Sequence, residues 1–176
     1  MDLTVYTQKF KNALGQMDKT QLGKLQLEAA VGIVLDSVFL KLYKKTWVND
    51  MEDPLNAATR IFFSVWINEK TAEQNRVYYN IHAFKLRQLK GYDISSRDFA
   101  EQFRKKFRKV QQRWQNVSVQ YGPLTLMEGW VELDAAHIEQ TVKTLAVNFM
   151  QIAHLVDDTL KAFEQKKNSR LHKKTA

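Results

Sequence analysis

The residues best suited to chemistry are a histidine in one alternating segment and two glutamates in another. His82 lies in "RVYYNIHAF", residues 76–84, whereas Glu128 and Glu132 lie in "LTLMEGWVEL", residues 124–133. A carboxylate beside an imidazole tunes a group that titrates near neutral pH, which makes a general acid/base arrangement. If the two segments pair in one sheet, His82, Glu128 and Glu132 are candidate catalytic residues. The alternative is that a helix covers this face and that His82 is a satisfied core or rim histidine.

Aromatic side chains share the sheet face predicted for His82. Aromatic rings on an open sheet can stack exposed bases, as they do in single-strand binders. The two glutamates would repel phosphate, and the segment lacks the glycine–aromatic signature of the common RNA-binding sheet domain. This face is therefore a candidate surface for a small molecule as well as for a base, and its candidate ligand-binding residues are Trp66, Tyr78, Asn80 and Trp130.

A strongly basic run, "AEQFRKKFRKVQQRWQ" at residues 100–115, is a candidate anion-binding helix. At about 100° per residue, its large apolar residues fall within an arc of roughly 80° and predict a buried stripe. The opposite arc carries the candidate anion-binding residues Arg97, Arg104, Lys105, Arg108 and Lys109. Such a surface can neutralise several phosphates of a nucleic acid or another polyanion, although no helix-turn-helix pattern accompanies it. The alternative is a solvated helix face, because lysine and arginine are good helix formers.

No motif for a metal, a cofactor or a nucleotide is present. The sequence contains no cysteine, which excludes disulfides and thiolate metal sites. His137 and His154 lie on one predicted helix about 26 Å apart, so they cannot share a metal ion. The phosphate-binding and hydrolase motifs GxGxxG, GxxxxGK[ST], GxSxG and HExxH are absent. We predict neither metal nor cofactor, and a small enzyme without a local motif stays an alternative.

The spacing of apolar residues predicts two helices and then a β-hairpin in the first half of the chain. Residues 3–17 and 20–46 are the predicted helices, and the second has a three-four spacing of Leu27, Val31, Val34, Val38 and Leu42. Residues 59–69 and 75–86 alternate with period two and predict strands that turn near Ala72. The predicted register pairs Ile67 with Val77, Val65 with Tyr79, Phe63 with Ile81, Ile61 with Ala83, Trp66 with Tyr78, Ser64 with Asn80, and Phe62 with His82.

The second half predicts a helix, a strand region and a last helix. Ser95 or Ser96 caps the basic helix, which is expected to run to about Gln115. Residues 117–133 return to strand, in one or two pieces that turn at Gly122-Pro123. Asp134 caps a last helix that reaches about residue 165. The predicted fold is α+β, in the order ααββαβ(β)α: an antiparallel sheet of three to four strands, helices packed on one face, and a long C-terminal helix.

Length, charge and the last helix set the remaining expectations. The 176 residues fit one domain at 1–165, followed by a flexible basic tail at 166–176. Neither a signal peptide nor a membrane-spanning segment is evident, so we expect a cytoplasmic protein. Residues 84–113 carry ten Lys and Arg against three acids, an asymmetry that favours an anionic partner. The last helix carries a second apolar strip, formed by Ala146, Met150 and Ala153, which predicts either a homodimer contact or burial against the first helices.

These observations favour a cytoplasmic, non-enzymatic binding or interaction module. Its expected partners are a protein or a second copy of this chain, and then a nucleic acid or other polyanion at the basic helix. The alternative is a small enzyme or small-molecule-binding protein that uses the sheet face around His82.

Overall fold

The computed structural model describes residues 1–165, which form a mixed α+β structure around one antiparallel sheet. The five strands lie in sequence order across the sheet: β1 (Glu28–Val34), β2 (Ser37–Tyr43), β3 (Arg60–Ile67), β4 (Arg76–Phe84) and β5 (Thr125–Glu132). The helices are α1 (Leu3–Gly15), α2 (Lys19–Lys24), α3 (Glu69–Glu73), α4 (Ser96–Phe107), α5 (Ile138–Ile152) and α6 (His154–Leu160). The α+β class is confirmed. The predicted count of three to four strands is wrong, because the sheet has five.

The two additional strands come from residues 20–46, which were predicted as a helix. The helix α2 covers only the start of this segment, and β1 and β2 then form a hairpin. Six of the seven residues of β2 are buried, so apolar side chains lie on both of its faces. A strand that is apolar on both faces fits a three-four spacing as well as an alternating one. The turn at Leu35 and Asp36 has φ values of 46° and 56°. The residue pair Leu-Asp is not typical of turns with this left-handed geometry, so the sequence did not predict the turn.

The predicted hairpin of β3 and β4 has the expected register. The structure pairs Ile61 with Ala83, Phe62 with His82, Phe63 with Ile81, Ser64 with Asn80, Val65 with Tyr79, and Trp66 with Tyr78. The strand β5 joins the same sheet beside β4, with a β-bulge near His82. Thus the faces assigned to these strands from the sequence are confirmed.

Helix α5, the segment after α4 and, beside α5, helix α1 contact one face of the sheet, which we call the helix face. Phe149 of α5 stacks on Phe63 of β3, with ring centroids 4.5 Å apart. Trp114 follows α4, and the centroid of its ring lies 6.1 Å from that of Phe63 and 5.2 Å from that of Tyr79. The helix α1 lies against α5, β1 and β2. Burial of these aromatic rings is the main stabilisation of the layer, at about 25 cal/mol per Å² of apolar surface.

The basic helix ends eight residues earlier than predicted. Ser95 caps α4 by accepting a hydrogen bond from the Asp98 amide at 3.5 Å. After Phe107 the chain tightens into a 3₁₀ turn, and Trp114 enters the core rather than extending the helical stripe. The C-terminal helix is present, but it begins at Ile138 and is divided between α5 and α6. The tail predicted at 166–176 lies outside the described residues.

The apolar strip predicted for a homodimer contact is buried within one chain. Ala146, Met150 and Ala153 are 0%, 4% and 1% exposed. The helix α1 covers α5 on this side, and Asn12 donates a hydrogen bond to Glu139 at 2.9 Å. No helix among residues 1–165 has the length and apolar character needed to cross a bilayer.

Candidate functional site

The face of the sheet opposite the helices, which we call the open face, carries one row of polar side chains. Strand pairing places Lys41 of β2 beside Ser64 of β3, Ser64 beside Asn80 of β4, and Asn80 beside Glu128 of β5. These four residues, the polar row, cross the sheet from one charged end to the other. Neighbouring strands lie about 4.8 Å apart, so the polar row is about 14 Å long.

Aromatic side chains flank the polar row on both sides. On one side lies the tryptophan row, whose members pair across four strands: Phe39, Trp66, Tyr78 and Trp130. Trp66 and Tyr78 stack with centroids 5.1 Å apart, and the Arg76 guanidinium lies 4.0 Å from the centre of the Trp130 ring. On the other side lies the histidine row, formed by Tyr43, Phe62 and His82. The polar row therefore lies between two rows of aromatic side chains on the open face.

The open face is bordered by loops rather than by helices. Among residues 1–165, its hydrogen bonds, ion pairs and ring contacts run between its own strands and the adjoining loops. Trp66, Tyr78 and Trp130 are half-buried, so solvent reaches part of each ring. The segment around Pro54 and Leu55 borders the histidine row. Within residues 1–165, His82 is a half-buried histidine at the rim of this face, with the Leu124 carbonyl and the Thr125 hydroxyl as neighbours.

Asn80, at the centre of the polar row, is buried and only half satisfied. It is 3% exposed, and its side-chain amide donates a hydrogen bond to Glu128 Oε2 at 3.1 Å. Its Oδ1 has no hydrogen-bond partner among residues 1–165. A buried acceptor without a donor costs about 1–3 kcal/mol, so an orphaned amide oxygen in the middle of a sheet calls for an explanation.

Lys41, at one end of the polar row, is a buried cation with aromatic neighbours instead of an acid. It is 8% exposed, and its Nζ lies 4.3 Å and 4.6 Å from the ring centres of Phe39 and Phe62. No carboxylate of residues 1–165 lies within ion-pair distance of it. Burial, and then the charge of Arg60, lower the pKa of Lys41 from 10.5 to about 8. In contrast, the nearby Lys44 has an ordinary ion pair with Asp157 at 2.6 Å.

The three candidate catalytic residues share the open face but are not joined. His82 Nδ1 lies 3.3 Å from the Leu124 carbonyl and 3.1 Å from Thr125 Oγ1. Burial lowers the pKa of His82, partly opposed by the Leu124 carbonyl and by Glu128, which favours a neutral ring. Glu128 instead accepts from Asn80, and Glu132 accepts from Asn75 at 3.1 Å. The part of the chain described by the structure therefore contains no hydrogen bond between His82 and either glutamate.

The candidate anion-binding residues divide into one structural arginine and four exposed cations. Arg104 donates to the carbonyls of Leu126, Tyr121, Gly122 and Thr125 at 2.8–3.1 Å, which holds the start of β5 and the segment before it against α4. The remaining four side chains are exposed: Arg97, Lys105, Arg108 and Lys109. Arg108 and Lys109 lie beyond the end of α4.

Two features were missed from the sequence. Phe39, Lys41 and Tyr43 belong to the open face, but their segment was predicted as a helix, because six of its seven residues are buried and its apolar residues do not alternate with polar ones. The second feature is a cleft of about 350 Å³ between β5 and α5, whose lining includes Arg113, Glu132, Asp134, His137 and Asn148. Two of these side chains are paired: His137 Nδ1 lies 2.8 Å from Asp134 Oδ2, and this hydrogen bond lowers the pKa of Asp134.

Neither a metal centre nor a relative points to a different site. Within residues 1–165, no group of three or more His, Asp or Glu side chains is arranged to hold a metal ion. Comparisons with protein-family models, with curated proteins and with solved structures give no significant match to this chain.

Proposed function

We propose that this protein is a non-enzymatic, cytoplasmic binding module whose open face takes a small ligand with a flat aromatic body and an anionic group. The observation that carries this proposal is the polar row, in which a buried lysine without an acid and a buried amide oxygen without a donor lie between two aromatic rows. Both groups are costly in the free protein. A ligand that satisfies both would recover that cost as binding free energy.

The chemical groups expected in the ligand follow from the residues of the polar row and from the two aromatic rows beside it. The Lys41 ammonium, with Arg60 on the same side of the sheet, favours a carboxylate or sulfonate. Asn80 Oδ1 is buried, so it would accept a hydrogen bond from a ligand donor only when the neighbouring side chains move apart on binding. The tryptophan row and the histidine row favour a planar ring, because aromatic surfaces stack or meet edge to face.

The arrangement favours binding over catalysis. General acid/base catalysis needs a titratable group that points at the reacting atoms, with a partner that tunes it. His82 is instead held by a loop carbonyl and a threonine hydroxyl, and Glu128 is held by Asn80. The alternative of a small enzyme would require these residues to exchange partners when the substrate binds.

The test compares two probes of one shape, 2-naphthoate and 2-naphthamide, which differ in charge. Four tryptophans give four indole signals in a ¹⁵N-correlated NMR spectrum. Trp66 and Trp130 lie on the open face, whereas Trp47 and Trp114 are 0% and 6% exposed and serve as internal controls. We expect naphthoate to shift the signals of Trp66 and Trp130 and to leave those of the two core tryptophans in place.

A matched pair of variants separates the role of Lys41 from general charge. Lys41→Met should weaken naphthoate binding at least about tenfold, the equivalent of one lost charge-assisted hydrogen bond. The same variant should change naphthamide binding by less than about twofold. Lys11→Met, which removes an exposed lysine of α1, should change neither. Shifts confined to Trp47 and Trp114, or the absence of shifts at low-millimolar naphthoate, would contradict the proposal.

A second candidate function is the binding of a nucleic acid or another polyanion along α4. Four exposed cations, Arg97, Lys105, Arg108 and Lys109, lie on or just beyond this helix and form no ion pair within residues 1–165. Phosphate neutralisation by such groups is independent of sequence and depends steeply on salt. Arg104 is not counted in this surface, since its guanidinium is engaged by backbone carbonyls.

A further inference from the structure

The two edges of the sheet differ in what lies beside them. Next to β5, Ser118 bridges to Glu128 through two backbone hydrogen bonds of 2.8 Å and 3.0 Å, so that edge is partly closed. Next to β1, no strand or bridging residue is present in the described part of the chain. The strand β1 is therefore a free edge, and a free edge can pair with another strand.

The turn between β1 and β2 identifies which backbone groups of β1 point outward. Leu35 and Asp36 form a two-residue loop with positive φ, and Val34 pairs with Ser37 beside it. In such hairpins the pair next to the loop exchanges backbone hydrogen bonds, and the hydrogen-bonded pairs then alternate along the strand. The amides and carbonyls of Ala29, Val31 and Ile33 consequently point away from β2. None of these groups takes part in the loop and turn hydrogen bonds of residues 1–165.

The composition of β1 lacks the features that normally protect a free edge. Natural edge strands are guarded by lysine, proline, a bulge or a covering loop. The sequence of β1, "EAAVGIV", contains a single charged residue, Glu28, and no proline. Ile33 and Val34 at its end, and Leu35 in the turn that follows, are 50%, 48% and 91% exposed. Apolar side chains beside unpaired backbone groups are typical of a strand that pairs in the assembled protein.

We propose that β1 pairs with β1 of a second copy of this chain, antiparallel, about a two-fold axis at Val31. This register uses the outward groups of Ala29, Val31 and Ile33 in both copies. It places Glu28 opposite Val34 of the second copy, so that the two glutamates do not face each other. Because the β5 edge is bridged by Ser118, pairing stops at two copies and gives one ten-stranded sheet. The inference does not depend on the ligand proposed for the open face.

Cysteine crosslinking tests the register, because the chain has no native cysteine. In the proposed pairing, the two Val31 Cα atoms form a hydrogen-bonded pair about 5.5 Å apart, within disulfide range. The two Ile33 Cα atoms are about 14 Å apart, too far for a disulfide. We expect Val31→Cys to give a covalent dimer on mild oxidation and Ile33→Cys to stay monomeric on a denaturing gel. Equal crosslinking of both variants, or of neither, would overturn the proposed register.

Light scattering tests the contact itself. The wild-type protein should have twice the monomer mass of 20.6 kDa at tens of micromolar. Val31→Pro removes an outward amide and part of the Val31 side-chain packing, at a position where edge strands tolerate proline, and should give a monomer. Val31→Ala loses the same packing but keeps the amide, and it should stay dimeric. A wild-type monomer, or a dimeric Val31→Pro, would overturn the proposal; the crosslinking result still decides if Val31→Pro fails to fold.

Discussion

Replacing Lys41 with Met is expected to stabilise the protein. The side chain is buried, and its pKa is lowered from 10.5 to about 8, first by burial and then by Arg60. A gap of this size corresponds to roughly 3 kcal/mol at 1.36 kcal/mol per pKa unit. Allowing for solvent screening at the ammonium, about 2 kcal/mol remains. Contacts of the ammonium with Phe39 and Phe62 offset part of this cost, so we expect Lys41→Met to raise the free energy of unfolding at pH 7 by about 1–2 kcal/mol.

The lowered pKa of Lys41 also determines how the stability difference between Lys41→Met and wild type changes with pH. The pKa of Lys41 is lower in the folded protein than in the unfolded chain, so the charged form opposes folding below pH 8. Between pH 8 and 10.5 the unfolded chain still binds the proton that the folded protein has released, and stability rises with pH. The advantage of Lys41→Met over wild type should therefore shrink, with more than half of it gone by about pH 9.5.

Urea unfolding of both proteins at a series of pH values measures the effect, and the difference between them cancels other titrations. Lys44→Met is the matched control, because it removes a lysine that has an ion pair with Asp157 at 2.6 Å. That variant should destabilise the protein by about 1–3 kcal/mol. A lower stability of Lys41→Met at pH 7, or an effect that does not change with pH, would contradict this expectation. The first result would mean that Lys41 is a stabilising cation, and the second that the effect does not arise from its charge.

Two further predictions concern α4. Arg104→Gln should lower the free energy of unfolding by about 2 kcal/mol, because four backbone carbonyls lose a charged donor; Lys105→Gln on the same helix should stay within about 0.5 kcal/mol of wild type by urea unfolding. If Arg97, Lys105, Arg108 and Lys109 bind a polyanion, affinity for heparin or DNA should fall steeply with salt, and replacing all four with Gln should flatten that slope. A wild-type protein that is not retained on heparin at low salt would end the polyanion hypothesis.

The part of the site that the sequence predicted depends on strands with two different faces. In β3 and β4, positions of an apolar face alternate with positions of a face that carries both polar and aromatic residues. Only one pairing register keeps these two sets of residues on separate faces. That register correctly placed Trp66 beside Tyr78 and Ser64 beside Asn80. The placement of Trp130 and Glu128 on the same face followed once β5 joined the sheet.

The part that the sequence did not predict depends on positions where burial is not periodic. Residues 38–43 of β2 are all buried, so their apolar pattern does not reveal a strand, and Lys41 was left out of the candidate site. The turn before β2 uses Leu35 and Asp36 in left-handed geometry without the Asn-Gly or Asp-Gly signal of such turns. Similarly, no residue near Phe107 predicts the end of α4. Trp114 fits the apolar stripe of a longer helix, but it packs on Phe63 and Tyr79 of the sheet instead.

The most direct test of the proposed ligand site is the pKa of Lys41 with and without 2-naphthoate. Lysines labelled with ¹³C at Cε report their own titration by NMR, and the spectrum of Lys41→Met identifies the signal. We predict a pKa of about 8 in the free protein. Saturating naphthoate should raise the pKa by at least about one unit, because a carboxylate beside the ammonium favours its charged form. A Lys41 pKa that is the same with and without saturating naphthoate would contradict the proposal that the polar row binds an aromatic anion.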